Sequence, residues 1–320
     1  MTRDETLAAA DDWFLHHGLS YFVPERRADV RSALRLRRTV PLVVVVALLA
    51  AGAGVALAWA TGEFSAAPAT LVLLGVLAVL WYALTALHAR QIVTWSLGRT
   101  LGSLRRVLPM TTRALPLLLL AITFLFVNTE VWQVASNLSI ASLWLVVALF
   151  SALAVGFLLV RLPEEVDRAD DAVDDALLLR ACRGTPLEEP CRELLEDPAT
   201  DPAAYAEVTG YERWNLILVL MIVQTVQVLL LSLTVFVFLM LFGSIIMTDP
   251  VLGTWQTDPP FATSRALVQV SVFLSSFSGL YLMVSTVTDE DYRAQFFGGV
   301  TRELERAVGM RAVYLALRNR

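Results

Sequence analysis

The sequence predicts an all-α fold: a polytopic membrane bundle of six transmembrane helices, both termini cytoplasmic, with amphipathic helices outside the membrane. Three observations carry that expectation. Hydrophobic residues fill 57% of the 320 positions, charged residues only 17%, and mean hydropathy is +0.63, more apolar than a soluble domain allows. Six stretches are long enough to cross a hydrocarbon core of about 30 Å, which takes about 20 residues of helix. The third observation is where the positive charge falls. Segments 1–39, 89–113, 161–213 and 288–320 carry 7, 5, 6 and 6 arginines, whereas the three connections between the paired spans carry only Arg265. Positive charge stays on the cytoplasmic side of short loops, so the alternation sets both termini inside.

Segment 1–39 reads as an amphipathic helix, "DETLAAADDWFLHHG", stopped at Gly18, then "LSYFVP" and the basic "ERRADVRSALRLRR". Trp13, Phe14, Tyr21 and Phe22 beside those arginines suit the headgroup layer. His16 and His17 offer a pH or metal response, but adjacent helical residues point about 100° apart and do not share an ion easily. Spans 40–60 and 67–88 follow. Gly52 with Ala56 and Gly54 with Ala58 are small pairs for close helix approach. The run "ALAWA" imitates a cleavage site, but a leader with nearly 40 preceding residues, acids among them, is unlike a signal peptide.

Span three, 114–135, begins between the limits set by Pro109 and Pro116 and brings Glu130 close to the outer interface. Thr123, Glu130 and Asn137 recur every seven residues, with Gln133 between the last two. This polar stripe either marks the exit of the helix, with Trp132 in the aromatic belt, or lines an outward vestibule that attracts cations or carries protons. Span four covers 138–160. A topology that merges spans three and four into a re-entrant hairpin would put the later arginines outside.

Segment 161–213 is acidic. "PEEVDRADDAVDDALLLRAC" starts a helix at Pro163, with an apolar stripe of Val166, Ala169, Val173 and Leu177 and a carboxylate face. Asp167, Asp170, Asp171, Asp174 and Asp175 resemble the aspartate-rich stretches by which membrane prenyltransferases hold magnesium diphosphate. The likeness covers about nine residues and lacks a second motif, and a divalent ion needs oxygens converging from several directions. A solvated or arginine-paired face is the simpler reading. Cys182 and Cys191 are expected as reduced thiols.

Span five, 214–247, would measure about 50 Å if straight, so it tilts, bends near Gly243 or projects beyond the membrane. Its Gln224 and Gln227, three apart, need partners away from lipid. In span six, 265–287, Ser264, Ser271, Ser278 and Ser285 recur every seven residues, with Ser275 on the same face and Gly279 beside it. Such a stripe serves close helix packing or lines a pore. A long helix over 288–320, capped by Thr288 and Asp291, carries Phe296, Val300, Leu304, Ala307, Tyr314 and Leu317 on one face, with Gly298 and Gly299 permitting a bend. It must cover the acidic segment, the membrane surface or another subunit.

The domain plan is therefore 1–39 amphipathic, 40–160 a four-span bundle, 161–213 an acidic helical segment, 214–287 a two-span hairpin and 288–320 a terminal helix. All 25 basic residues are arginine. Without lysine there is no P-loop lysine, Schiff base or Ser-x-x-Lys pair, and HExxH, GxSxG and CxxC motifs do not occur. No catalytic residues, cofactor, metal or nucleic-acid partner is expected. The stretches "WFLHHGLSYFVPERR", "FLFVNTEVWQVA" and "YLMVSTVTDEDYRAQFF" resemble a group of actinobacterial integral membrane proteins that brings no activity with it and implies a bacterial inner membrane. The expected function is an oligomeric ion channel or small-solute permeation protein; the alternative is a non-conducting scaffold or regulator that recruits a cytoplasmic partner through 161–213 or 288–320.

Overall fold

The computed structural model describes residues 2–87, 89–102, 118–197, 199–247, 261–288 and 290–320, excepting the side chains of 99–102, 261–264 and 286–300. His88, Pro109 and Pro116 lie outside the described residues. So do the side chains of Ser264, Thr288, Asp291, Phe296 and Val300 and the surroundings of Gly298 and Gly299. Among the described residues all regular structure is helical.

Helix α1, Arg3–His16, starts in a capping box between Thr2 and Glu5 and stops at Gly18, whose φ of +72° suits a residue without Cβ. A 3-10 turn, Ser20–Phe22, leads to α2, Pro24–Ala33, with proline in its first turn. α3, Leu36–Thr61, ends at left-handed Gly62 and turns back into α4, Ala66–Thr85. α5 is Ala89–Gly102, α6 Leu118–Phe126 and α7 Thr129–Ser136. α8 is Ile140–Asp171, α9 Asp175–Cys182 and α10 Glu188–Glu196. A 3-10 turn at Pro202–Tyr205 precedes α11, Gly210–Ile246, α12, Phe261–Thr288, and α13, Glu290–Asn319.

Five helices, α3, α4, α8, α11 and α12, are long and apolar enough to cross a membrane; the sixth candidate is the pair α6 and α7, bent by 75°. Contacts place the crossings. At one end of the bundle the Phe14 and Tyr314 rings meet edge to face at 5.5 Å, and Tyr21 reaches Leu87 O. At the other end Ser65 Oγ lies 3.2 Å from Ser139 Oγ, and Gln269 donates to Leu138 O. Ile92 of α5 packs with Tyr21 and Val30 at the terminal end, whereas Phe126 of α6 lies against Gly243 near the far end. α6 therefore stands near the far end, with α7 bent against it.

The bend has a local cause. Asn128 caps α7 by accepting from the Glu130 and Val131 amides, and the fully buried Trp132 fills the inner corner, donating its indole N–H to Phe126 O at 2.6 Å. Span three is thus not the single helix expected over 114–135, and Thr123 and Glu130 do not share a helical face.

The terminal end forms a packed helical domain from α1, α2, α9, α10, α13 and the projecting ends of α8 and α11. This corrects the headgroup reading of the amino-terminal aromatics. Phe14, Tyr21 and Phe22 are buried in protein because α13 and α5 cover them, and Trp13 lies beneath the Arg306 guanidinium. Pro163 does not start a helix either; α8 runs through it from the apolar span into the charged tail, which Arg161 ties to Glu164 and Glu165. The acidic segment then breaks at Ala172, where Asp174 caps a new helix by accepting from Leu177 N at 2.6 Å. Val166, Ala169 and Leu177 of the expected stripe are buried. α13 answers what its apolar face covers: burial extends almost all round it from Leu304 to Ala316, and Gly309 lets it close on Ala181 and Leu177 of α9.

Candidate functional site

Helix α11 is about 55 Å long at 1.5 Å per residue, and the excess over the membrane is its first turns, which stand inside the terminal domain. Glu212 lies in the first of these turns, where the helix dipole favours negative charge, and is 4% exposed. Both of its oxygens are taken by arginines from opposite ends of the chain. Arg27 of α2 holds Oε1 at 2.6 Å and Arg311 of α13 holds Oε2 at 2.5 Å. Arg311, itself buried, also donates to Tyr205 O and Glu207 O, at 2.8 and 2.9 Å, closing the loop before α11. One turn on, the buried Asn215 accepts from Tyr21 N and donates to Gly18 O. The amino-terminal turn, the base of α11 and the carboxy-terminal helix therefore meet at one polar knot.

Around the knot, titratable groups feel burial. Desolvation raises the Asp11 carboxyl and pushes Tyr314, its hydrogen-bond partner, up to about 12; Tyr21 is likewise pushed up to about 12 by burial. Asp170, in the charged tail of α8 beyond the apolar span, is raised to about 6 by burial, against the opposing pull of the Val208 amide and Arg311. Its Oδ2 accepts from Val208 N at 2.9 Å, while Oδ1 is buried with no hydrogen-bond partner among the described residues. Cys182 and Cys191 are free, buried and adjacent, and the thiol hydrogen bond between them together with burial pushes Cys182 up. His17 stacks on Trp13 at 3.8 Å and is held below the usual imidazole range by burial, while His16 stands exposed beside Asp12. Asp167 pairs with Arg213 at 2.9 Å. Among the described residues no group of three histidine, cysteine or acidic side chains is placed to hold a metal. The knot ties the three segments together through charge-assisted hydrogen bonds.

The residues singled out in sequence fall into two groups. Thr123 is on α6 and bonds back to Leu119 O, whereas Glu130, Gln133 and Asn137 lie past the bend and are exposed. The α12 serines are inside the bundle: Ser271, Ser275 and Ser278 are buried, and Ser275 and Ser278 donate to the carbonyls of Val272 and Leu274 in their own helix. Gly279 fits against Ser232 and Val228 of α11. Ser285 is half-buried. Gln224 and Gln227 are buried on α11, and Gln224 Nε2, Gln227 Oε1 and Ser271 Oγ have no hydrogen-bond partner among the described residues. Sequence reasoning missed Glu212, because nothing local ties it to arginines so distant in the chain; its only signal was an acid in the first turn of a long apolar helix. Glu130 was more readable, since "NTE" is a helix cap followed by an acid that favours the first turn. In the comparisons with known proteins, the chain matches no family, no curated protein and no solved structure.

Proposed function

We propose that the chain is a non-conducting scaffold or regulatory protein of the bacterial inner membrane, with the terminal domain in the cytoplasm as its working part. The observation that carries this reading is Glu212 gripped by Arg27 and Arg311, which makes α2, α11 and α13 one mechanical unit. A cytoplasmic partner that engages the acidic segment or α13 then acts directly on the longest span. Cytoplasmic placement of this domain follows from the arginine distribution. The serine stripe supports the same reading, because its buried hydroxyls at Ser275 and Ser278 are satisfied within α12 and its glycine seats α11.

Permeation is the second reading, and one observation favours it. Among the described residues, Gln224, Gln227 and Ser271 keep polar atoms without a hydrogen-bond partner inside the bundle, and such atoms are costly unless water or an ion meets them. Ion flux through purified protein in liposomes, beside protein-free vesicles, separates the two. The scaffold reading expects no flux across pH, voltage and cation type. It also expects single cysteines at Ser271, Ser275 and Ser278, in a background lacking Cys182 and Cys191, to resist water-soluble thiol reagents. Flux above the empty vesicles together with labelling along the stripe overturns it.

A further inference from the structure

We propose that the cavity between the start of α3 and the end of α4 binds the headgroup of one anionic phospholipid. Three features support it, and Arg38 links them by lining the cavity. The first is the cavity itself, about 320 Å³, lined by Arg38 and Leu42 of α3 and by Trp81, Tyr82 and Thr85 of α4. One wall is tied across elements: Tyr82 donates its hydroxyl to Ala33 O at 2.7 Å, joining the last turns of α4 to the joint between α2 and α3. Ligand pockets begin at about 300 Å³, which suits a phosphoglycerol-sized headgroup with the acyl chains left outside.

The second feature is uncompensated positive charge. Arg35, Arg37 and Arg38 are all exposed, and among the described residues none of them is paired with a carboxylate. Guanidinium groups take phosphate oxygens in a two-point grip. The third is the open amino terminus of α3. Its capping residue, Arg35, supplies no side-chain acceptor, so the Leu36 and Arg37 amides have no acceptor among the described residues. A 26-residue helix presents partial positive charge at that end, where phosphate binds well.

The setting identifies the occupant as a lipid. α4 has none of its apolar stretch inside the protein and α3 only 11%, and Trp81 of the cavity wall, with Val43, Val44 and Leu77 on the same two helices, stands exposed. An acyl chain leaving the cavity along Leu42 and Trp81 meets an apolar face already prepared for it, while the arginines sit at headgroup level. This rests on α3 and α4 crossing the bilayer, and it is independent of whether the protein conducts.

The test uses the full chain, purified in neutral detergent and stripped of lipid, then titrated with dioleoyl phosphatidylglycerol or dioleoyl phosphatidylcholine. Native mass spectrometry counts bound lipid and thermal unfolding reports the shift. One phosphatidylglycerol is expected to remain bound where phosphatidylcholine does not, with a raised Tm. Arg38→Gln should weaken phosphatidylglycerol about fivefold, the share of one juxtamembrane arginine, without changing the lipid-free Tm. Arg180→Gln, an exposed arginine on α9, should change nothing. Ala86, the residue after α4, also lines the cavity; Ala86→Phe, which fills it and keeps the charge, should lose the lipid as well and serves if Arg38→Gln fails to fold. Equal retention of the two lipids, retention of phosphatidylglycerol by both variants, or its displacement by millimolar inorganic phosphate each overturns the proposal.

Discussion

Helices α3 and α12 have the same architecture and opposite environments. The apolar stretch of α3 has mean hydropathy 2.6 and is 11% buried in the protein, while that of α12 has 1.7 and is 56% buried. In water the more apolar helix would be the inner one. Here the order is inverted, because lipid is as apolar as any side chain and only packing, small residues and polar groups draw a helix inward. Serine and glycine bring α12 close to α11 and α8, and leucine and valine leave α3 facing outward. The terminal domain is closer to the soluble rule: its packed centre is apolar, and among the described residues its charged side chains in the buried class are Glu212 and Arg311.

That difference is tested most severely at Glu212. Glu212→Gln leaves Arg27 and Arg311 facing each other in a buried space, and breaking such a pair costs about 3–5 kcal/mol. Thermal unfolding in detergent should show a large fall in Tm, whereas Leu48→Ala on the exposed face of α3 should stay within about 0.5 kcal/mol. An unchanged Tm for Glu212→Gln would erase the distinction between the two regions. A smaller effect separates two glycines of α3. A side chain at Gly54 meets the Ala67 backbone, 2.8 Å from its oxygen, while Gly52 faces open space. Gly54→Leu should cost about 1–3 kcal/mol by overpacking, and Gly52→Leu should leave α3–α4 pairing, read by cysteine cross-linking, unchanged.

Asp170 sharpens the comparison through pH. Its folded pKa, about 6, lies above the ordinary value of 3.8, so the native state binds the proton more tightly than the unfolded chain. The stability it contributes is complete below about pH 4 and is lost as pH rises through about 6. Tm measured across that window should fall in the wild type relative to Asp170→Asn, which keeps an acceptor for Val208 N. A parallel pair of curves would remove burial as the cause. The smallest effect is expected from Gln224→Leu, since its buried Nε2 has no hydrogen-bond partner among the described residues and replacing such a group by an apolar one of similar shape is near neutral or stabilising. A loss of ion flux in that variant would instead support permeation.

Much of this arrangement was legible in the residues. The six apolar runs appear as helices or, for the third, as a bent pair, because length and apolarity alone specify a span. The heptad pattern was misleading at Glu130, since a period of seven implies one face only while the helix continues, and Asn128 with Trp132 ends it. The small pairs of α3 were half legible: composition marks close approach but not which side meets a neighbour, so Gly54 packs and Gly52 does not. The serine stripe was readable as a buried face, and its choice between packing and water was not, because both use the same residues. The Glu212 knot lay beyond periodicity altogether, being assembled by tertiary contacts among three distant segments.

The edge-to-face contact of Phe14 with Tyr314 also has a consequence in time. At roughly 5–20 residues per second, α1 leaves the ribosome about fifteen seconds to a minute before the helix that buries it. During that interval the spans are being made, Glu212 lacks Arg311, and the apolar face of α1 lacks the cover that α13 gives it. The terminal domain therefore closes only on a chain whose last helix has been made, and a truncated product exposes Phe14 and Phe22 to the proteases and chaperones that police the membrane surface.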